Sequence, residues 1–257
     1  MEAELDPRAN HRESGVQASV VVAVVIFSVR PDADGRPRLQ VLLVQRAVDP
    51  FAGHWSLPGG KLWGREALDE AAWRQLAEKT ALRASYLEQL YTFELWDPSR
   101  QLDAAVIAYY ALVRTDHTEI AAGRKTMEAA WFPVDELPGG LAFDNDEILH
   151  FALGRLRNKV EYAHVAFQFL PPAFTLAQLR AVHEVILGRR IDPTNFRRRV
   201  EATGTIVPTG QLVSGGRHRP PGLYRCAGDP AELIKTMRPR RTLRSRPAHH
   251  ATTPATA

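Results

Sequence analysis

Between Ser19 and Val29, Val and Ile follow one another with no polar alternation. A β-branched run of this kind predicts a strand covered on both faces, here Val20 to Val29. Arg30 to Pro37 is dense in Pro, Asp and Gly, and Leu39 to Val44 is apolar again. The two runs therefore predict a hairpin with a loop between its strands. Helical spacing follows from about Ala67 to Lys79. Two strand-like segments, Ala84–Glu94 and Ala104–Val113, then lead through a less regular stretch to Lys125. Glu128 to Pro138 predicts a closing strand and turn. Asp144 to Lys159 predicts a helix with Asp144 as its N-cap. The expected architecture is a mixed sheet with flanking helices.

Beyond Glu161 the pattern is different. Leu176, Leu179, Val182, Ile186 and Leu187 make a helical apolar stripe, with Thr175 as N-cap and Gly188 as the stop. A short link leads to a second helix over Asp192–Glu201, where Asp192 caps and Pro193 takes the first turn. Thr205–Pro208 and Gly222–Cys226 form two short strands around a glycine-rich tip. Helix, short turn, helix and β-ribbon is the order of a winged helix-turn-helix. On the second helix Phe196 and Val200 should pack inward, while Thr194, Asn195 and Arg198 face outward with Arg197 and Arg199 beside them. Asn suits an adenine edge, and Arg suits a guanine edge or a phosphate. At the wing tip, Arg217, His218 and Arg219 are placed to reach phosphates or a minor groove. A solvated face is the plainer reading of three successive arginines. The helix order and the basic wing together favour DNA.

Charge sharpens this division. Residues 1–160 carry 18 Lys and Arg against 23 Asp and Glu, residues 161–228 carry 9 against 4, and residues 229–257 carry 6 against 2. An acidic module is joined to a basic one, which suits a sensor attached to a polyanion-binding module. The single cysteine, Cys226, excludes an intrachain disulfide and fits a reducing compartment. The longest apolar run falls well short of the about 20 residues of a membrane span. The acidic start lacks the basic region of a secretory signal. A cytoplasmic protein without membrane contact is expected. Its organisation is a flexible N-terminus over 1–18, a sensing module over 19–160, a winged helix-turn-helix over 161–228 and a disordered basic tail over 229–257. The pair His249-His250 in that tail is too isolated to make a metal site.

The stretch Gly60 to Leu82 matches the spacing of the Nudix box, in which Gly is followed six residues later by Glu. Eight residues further on comes the run Arg-Glu-apolar-x-Glu-Glu-x-Gly-apolar. Gly60, Glu66, Arg74, Leu76, Glu78 and Leu82 fall on the pattern, and Trp55-Ser56-Leu57-Pro58-Gly59-Gly60-Lys61 resembles its usual lead-in. Gln75 and Lys79 stand where carboxylates are expected, and Ala81 stands in place of Gly. Positions 75, 78 and 79 share a helix face at i, i+3 and i+4. In Nudix hydrolases that face offers carboxylates to Mg²⁺. Here it offers one carboxylate, a neutral amide and an ammonium, a poor set for a hard cation. Glu70 cannot stand in, being roughly 12 Å away along the helix from Glu78.

Both modules together resemble the NrtR family, Nudix-related transcriptional regulators of NAD metabolism. The resemblance runs from about Val20 to Cys226 and includes Phe174–Gly188, Asn195–Arg199 and Gly215–Pro220. It implies an α+β protein with an N-terminal Nudix fold and a C-terminal winged helix-turn-helix. It further implies a homodimeric repressor on a palindromic operator, released by ADP-ribose or a related NAD derivative, with no catalytic residue, metal or required cofactor. Arg46, Trp55, Gly59, Gly60 and Glu78 are then the candidate ligand-pocket positions. Three alternatives stay open: an active nucleotide-diphosphate hydrolase taking a base from Asp116, Glu119 or Glu128, a regulator of the same architecture sensing a sugar, and a DNA-binding protein with no ligand response.

Overall fold

The computed structural model describes residues 19–228 apart from 81, 83, 98–101, 115–119, 121–125, 162–163 and 214–219. The wing-tip residues Arg217, His218 and Arg219 lie outside the described residues. So do Ala81, Asp116, Glu119 and the segments 1–18 and 229–257. At the centre is β1 (Ser19–Pro31), which pairs antiparallel with β2 (Pro37–Arg46) and places Ile26 opposite Leu42. The turn between them is drawn tight by Asp32, whose Oδ1 accepts from the amides of Asp34 and Arg36 at 3.0 and 2.8 Å. The sheet continues from β2 to β3 (Trp55–Ser56) and β7 (Thr126–Pro133). From β1 it extends to β4 (Gly59–Lys61) and, in parallel, to β6 (Leu102–Leu112). Strand β5 (Tyr86–Asp97) lies antiparallel on β6 at the edge of this seven-stranded mixed sheet.

The unbroken apolar run of β1 has a simple cause, since both faces of the sheet are covered. Ala23, Val25, Phe27 and Val29 point into one core with α2 (Asn145–Val160). Val22, Val24 and Ile26 point into a second core with Ala71, Ala72 and Leu76 of α1 (Leu68–Thr80). The short strands β3 and β4 in the lead-in loop are too brief to leave a periodic signal. The 3₁₀ helix His164–Phe169 was equally unforeseen.

The C-terminal elements follow the sequence closely. In α3 (Leu176–Leu187), Thr175 and Gln178 form a reciprocal capping box, and Gly188 ends the helix at φ 66°. In α4 (Pro193–Ala202), Asp192 accepts from the Asn195 amide at 2.8 Å with Pro193 in the first turn. Strands β8 (Ile206–Leu212) and β9 (Gly222–Cys226) form the wing ribbon, and Phe174 bridges to Tyr224. One expected cap fails. Asp144 occupies the N-cap position of α2 but sits at φ 52°, ψ 29° and makes no capping hydrogen bond with its side chain. Asp146 instead accepts from the Leu141 amide at 3.0 Å. The larger core crosses position 160 without a break: Leu156 and Val160 share it with Val165, Phe169, Leu179, Val182, Ile186 and Phe196. Arg157 Nε reinforces the crossing by donating to Ile186 O at 3.1 Å.

Candidate functional site

The box is organised around one arginine. Arg74 Nε and Nη2 each donate to a Glu66 oxygen at 2.7 Å, a bidentate pair, while Nη2 also reaches Lys61 O at 3.2 Å. Its Nη1 lies 3.4 Å from Glu78 Oε2, and its guanidinium stacks over the Trp63 ring at 3.7 Å. The hydrogen bonds from Arg74 hold the Glu66 carboxyl below the usual carboxylate range. Gln75 is buried between Gly59 O and Arg74 Nη1, and these neighbours assign its amide orientation: the nitrogen donates to Gly59 O at 2.9 Å and the oxygen accepts from Arg74 Nη1 at 2.8 Å. The amide is thus spent inside the fold, stapling α1 to β4.

That staple explains the glycine pair. A Cβ on Gly60 would fall 2.7 Å from the Gln75 amide, and one on Gly59 would fall 2.8 Å from Val22 O. Both are close-approach glycines, and Gly59 meets backbone that cannot yield. Glu78 and Lys79, on the same face of the helix, are half-buried. Among the described residues no three His, Cys, Asp or Glu side chains gather into a metal-binding group.

Arg46 ends β2 and Trp55 opens β3, at the edge where the two strands pair. Trp55 packs edge-on against Phe132 with ring centres 4.8 Å apart. Arg46 donates from Nε to Pro50 O at 2.8 Å and from Nη2 to Val48 O at 3.3 Å, and its guanidinium lies 4.6 Å from the Phe143 ring centre. Burial lowers its pKa. Sequence reading missed its neighbours. Phe51 (φ 63°), Phe143 (φ 58°) and Asp144 (φ 52°) are the non-glycine residues with positive φ among those described. Phe51 and Phe143 touch edge-on at 4.8 Å. Left-handed backbone costs an L residue about 1–2 kcal/mol. Asn145, 6% exposed, anchors this corner: its Oδ1 accepts from the Leu57 amide at 2.7 Å and its Nδ2 donates to Phe143 O at 3.2 Å.

On α4, Phe196 is buried and the outward set is as expected. Thr194, Asn195, Arg197, Arg198 and Arg199 are all exposed. Arg198 Nη2 donates to Asn195 Oδ1 at 3.1 Å, and Arg197 pairs with Glu201 at 2.9 Å. An open groove of about 530 Å³ runs beside this helix, lined by Ile191, Asn195, Phe196, Arg198, Arg199 and Ala202. Such a surface offers donors along a helix face left exposed among the described residues.

Comparison with known proteins agrees with both halves. Residues 20–151 match the NUDIX domain and residues 166–226 match the NrtR DNA-binding winged helix domain. An ADPR-responsive transcriptional repressor from Acinetobacter baylyi is 33% identical over 218 residues, 81% of this chain and 82% of that protein. The chain belongs to the NrtR family. The crystal structure of Shewanella oneidensis NrtR complexed with a 27mer DNA has a TM-score of 0.68 at 34% identity, covering 83% of this chain and 96% of that one. A third relative, an ADP-ribose pyrophosphatase from Methanocaldococcus jannaschii, is 32% identical over 110 residues, 43% of this chain and 63% of that protein. As in other α+β members of the NrtR family, a Nudix fold precedes a winged helix. Among the described residues no helix is long and apolar enough to cross a membrane.

Proposed function

We propose that this NrtR-family chain is a cytoplasmic transcriptional repressor of NAD-metabolism genes. It binds a palindromic operator as a homodimer, and ADP-ribose or a related NAD derivative in its Nudix domain releases the DNA. The carrying observation is the exposed Asn195–Arg199 surface of α4, in a chain that also holds a Nudix box whose Glu78 stands between Gln75 and Lys79. Mg²⁺ does not fit that box. A hard divalent cation needs several oxygen ligands, usually including anionic ones. Glu66 is held by Arg74, Gln75 is spent on Gly59 O and Lys79 adds a positive charge. The domain therefore binds its ligand without hydrolysing it, as a sensor requires.

In a symmetric dimer two copies of α4 would read half-sites about one helical turn apart. Arg198 and Asn195 reach base edges, Arg197 and Arg199 clamp phosphates, and Arg217, His218 and Arg219 extend the contact from the wing. The effector releases DNA only if it binds the released state better, since equal affinity shifts nothing. A gel-shift on the region upstream of the protein's own gene, with ADP-ribose, NAD and sugar phosphates added in turn, tests this reading. Release by ADP-ribose is expected; release by sugar phosphates alone moves the effector to sugar metabolism, and no shift at all overturns DNA binding. The pyrophosphatase relative favours a second reading, an active hydrolase. Mg²⁺-dependent turnover of ADP-ribose at ordinary enzyme rates would establish it.

A further inference from the structure

We propose that two copies of this chain pair through α2 and β5, with the α2 helices antiparallel and Phe151 on the two-fold axis. The proposal rests on the homodimer reading above and adds which face pairs, and in which direction. α2 packs into its own chain through Ile148, Leu149, Ala152, Leu156 and Val160, all buried. On its opposite stripe Glu147, His150, Phe151, Gly154 and Asn158 are exposed, and the Phe151 ring keeps 38% of its surface in water. Phe151 does not stand alone. Strand β5 brings Tyr91, 57% exposed, and Phe93 against it, with ring centres 5.4 and 5.7 Å away. A bulge between Gln89 and Tyr91 shifts the phase of the strand, so that Tyr91 and Phe93 reach the side already used by Tyr86 and Leu90. β5 is also the outer strand of the sheet, and among the described residues no strand pairs with its free edge. Folded monomers seldom leave a cluster of aromatic rings in water, and aromatic residues are enriched where proteins meet.

Charge identifies the occupant. A two-fold interface uses one patch twice, so that patch must complement itself. Glu147 and Arg155 stand four residues before and after Phe151, each about 6 Å from it along the helix axis. Neither belongs to an ion pair among the described residues, and Arg155 instead lies 5.9 Å from the Phe151 ring centre. With two helices antiparallel about Phe151, Glu147 of each copy faces Arg155 of the other, and the Phe151 rings meet at the centre. Parallel helices would set like charges together. Gly154 adds a second indication. Glycine inside a helix is destabilising relative to alanine, and a Cβ at this position would meet nothing within 4 Å in its own chain. One chain by itself gives no packing reason for that glycine, whereas close approach of a second helix does. The face fits a second copy of this chain, and a partner of uniform charge would leave one of the two charges opposed.

The test is sedimentation velocity of the full-length chain over a dilution series, with charge reversals at both positions. Glu147→Arg and Arg155→Glu each set like charges together twice per dimer, and each should raise the dimer dissociation constant about tenfold or more. The double variant E147R/R155E restores both pairs in the opposite sense and should return the constant to within about threefold of the parent. That rescue also shows that the single variants fold. Phe151→Asp places two carboxylates at the axis and should leave monomer throughout the series. Operator affinity, read by fluorescence anisotropy, should fall in the single variants and recover in the double. A parent dimer that survives both single reversals and Phe151→Asp overturns this face and leaves the homodimer reading standing. Single variants that dissociate without rescue by the double overturn the antiparallel pairing. A parent that is monomeric at every concentration overturns both the face and the homodimer reading.

Discussion

Asn145→Ala should uncouple the Phe143 corner from the box loop. The side chain is 6% exposed and makes two bonds, accepting from Leu57 N at 2.7 Å and donating to Phe143 O at 3.2 Å. Truncation leaves a buried amide and a carbonyl without their partner. An orphaned buried donor costs about 1–3 kcal/mol and a lost neutral bond about 0.5–1.5 kcal/mol, so a total of roughly 2–3 kcal/mol is expected. For a chain of this size that lowers the melting temperature by roughly 4–12 °C. Because Leu57 leads directly into Pro58-Gly59, the change also frees the box loop from α2. Below its melting point the variant should still bind operator DNA, with weaker release by ADP-ribose. Differential scanning calorimetry and fluorescence anisotropy on the same samples measure both effects. An unchanged melting temperature would refute the energetic argument, and full effector response would refute the coupling.

Three further outcomes follow from the same geometry. Arg198→Ala should weaken operator binding by about 1–3 kcal/mol at constant ADP-ribose affinity, and raising salt should weaken binding steeply in the parent; a flat salt response in anisotropy would remove the phosphate contacts from the account. Gly59→Ala forces a Cβ to 2.8 Å from Val22 O and should cost about 1–3 kcal/mol or more in urea unfolding, with little relief available from side-chain movement. Acid should destabilise the fold through two partly buried imidazoles. Burial holds both His183 and His164 below the usual histidine range, and at His183 the nearby Arg199 adds to this while the carbonyls of Leu179 and Val160 oppose it. The unfolded chain then binds protons more readily than the native one, so stability present above about pH 6.5 is lost as pH falls through the folded values. Melting temperature measured from pH 7.5 to 5.5 should fall, and His183→Leu should flatten that slope.

The parts of the fold legible in the sequence are those whose signal is local and periodic. β1 shows itself by an apolar run that only a sheet covered on both sides can use. α3 and α4 show themselves by Thr175, Gly188, Asp192 and Pro193, whose roles depend on the backbone of their own turn. The box was legible because Gly60, Glu66, Arg74, Leu76, Glu78 and Leu82 fall on one fixed spacing. The misses share the opposite property. Asp144 looks like an N-cap by residue type, and only tertiary contacts decide that its backbone is left-handed. Phe51 and Phe143 lie 92 positions apart, and nothing in either neighbourhood announces that the rings meet at 4.8 Å. Helical spacing puts Gln75 on one face with Glu78 and Lys79 and says nothing of its burial. The closeness of β4 turns it inward, a fact carried by a three-residue strand with no pattern of its own.

The shared core limits how a ligand can act on α4. Hinging the winged helix away from the Nudix fold would expose Leu156, Val160, Val165, Phe169 and Ile186, all buried in one cluster. At about 1.5–3 kcal/mol for each fully buried side chain, that costs roughly 8 kcal/mol or more. Driving a two-state equilibrium from 1:99 to 99:1 takes about 5.5 kcal/mol of differential affinity, and typical allosteric couplings are smaller still. Separation of the modules is therefore too expensive to be the switch. A small displacement of α2 as a body is not, because Lys159–Glu88, Glu161–Arg189 and Arg157–Ile186 tie its far end to both modules through polar contacts that can be re-formed. In a dimer such a displacement changes the spacing between two α4 helices while each module stays packed. Hydrogen exchange separates the two cases. With ADP-ribose bound, the amides of Leu179, Val182 and Ile186 should keep their protection while those at 143–146 change. Loss of protection in α3 would refute the packed switch and require the modules to part.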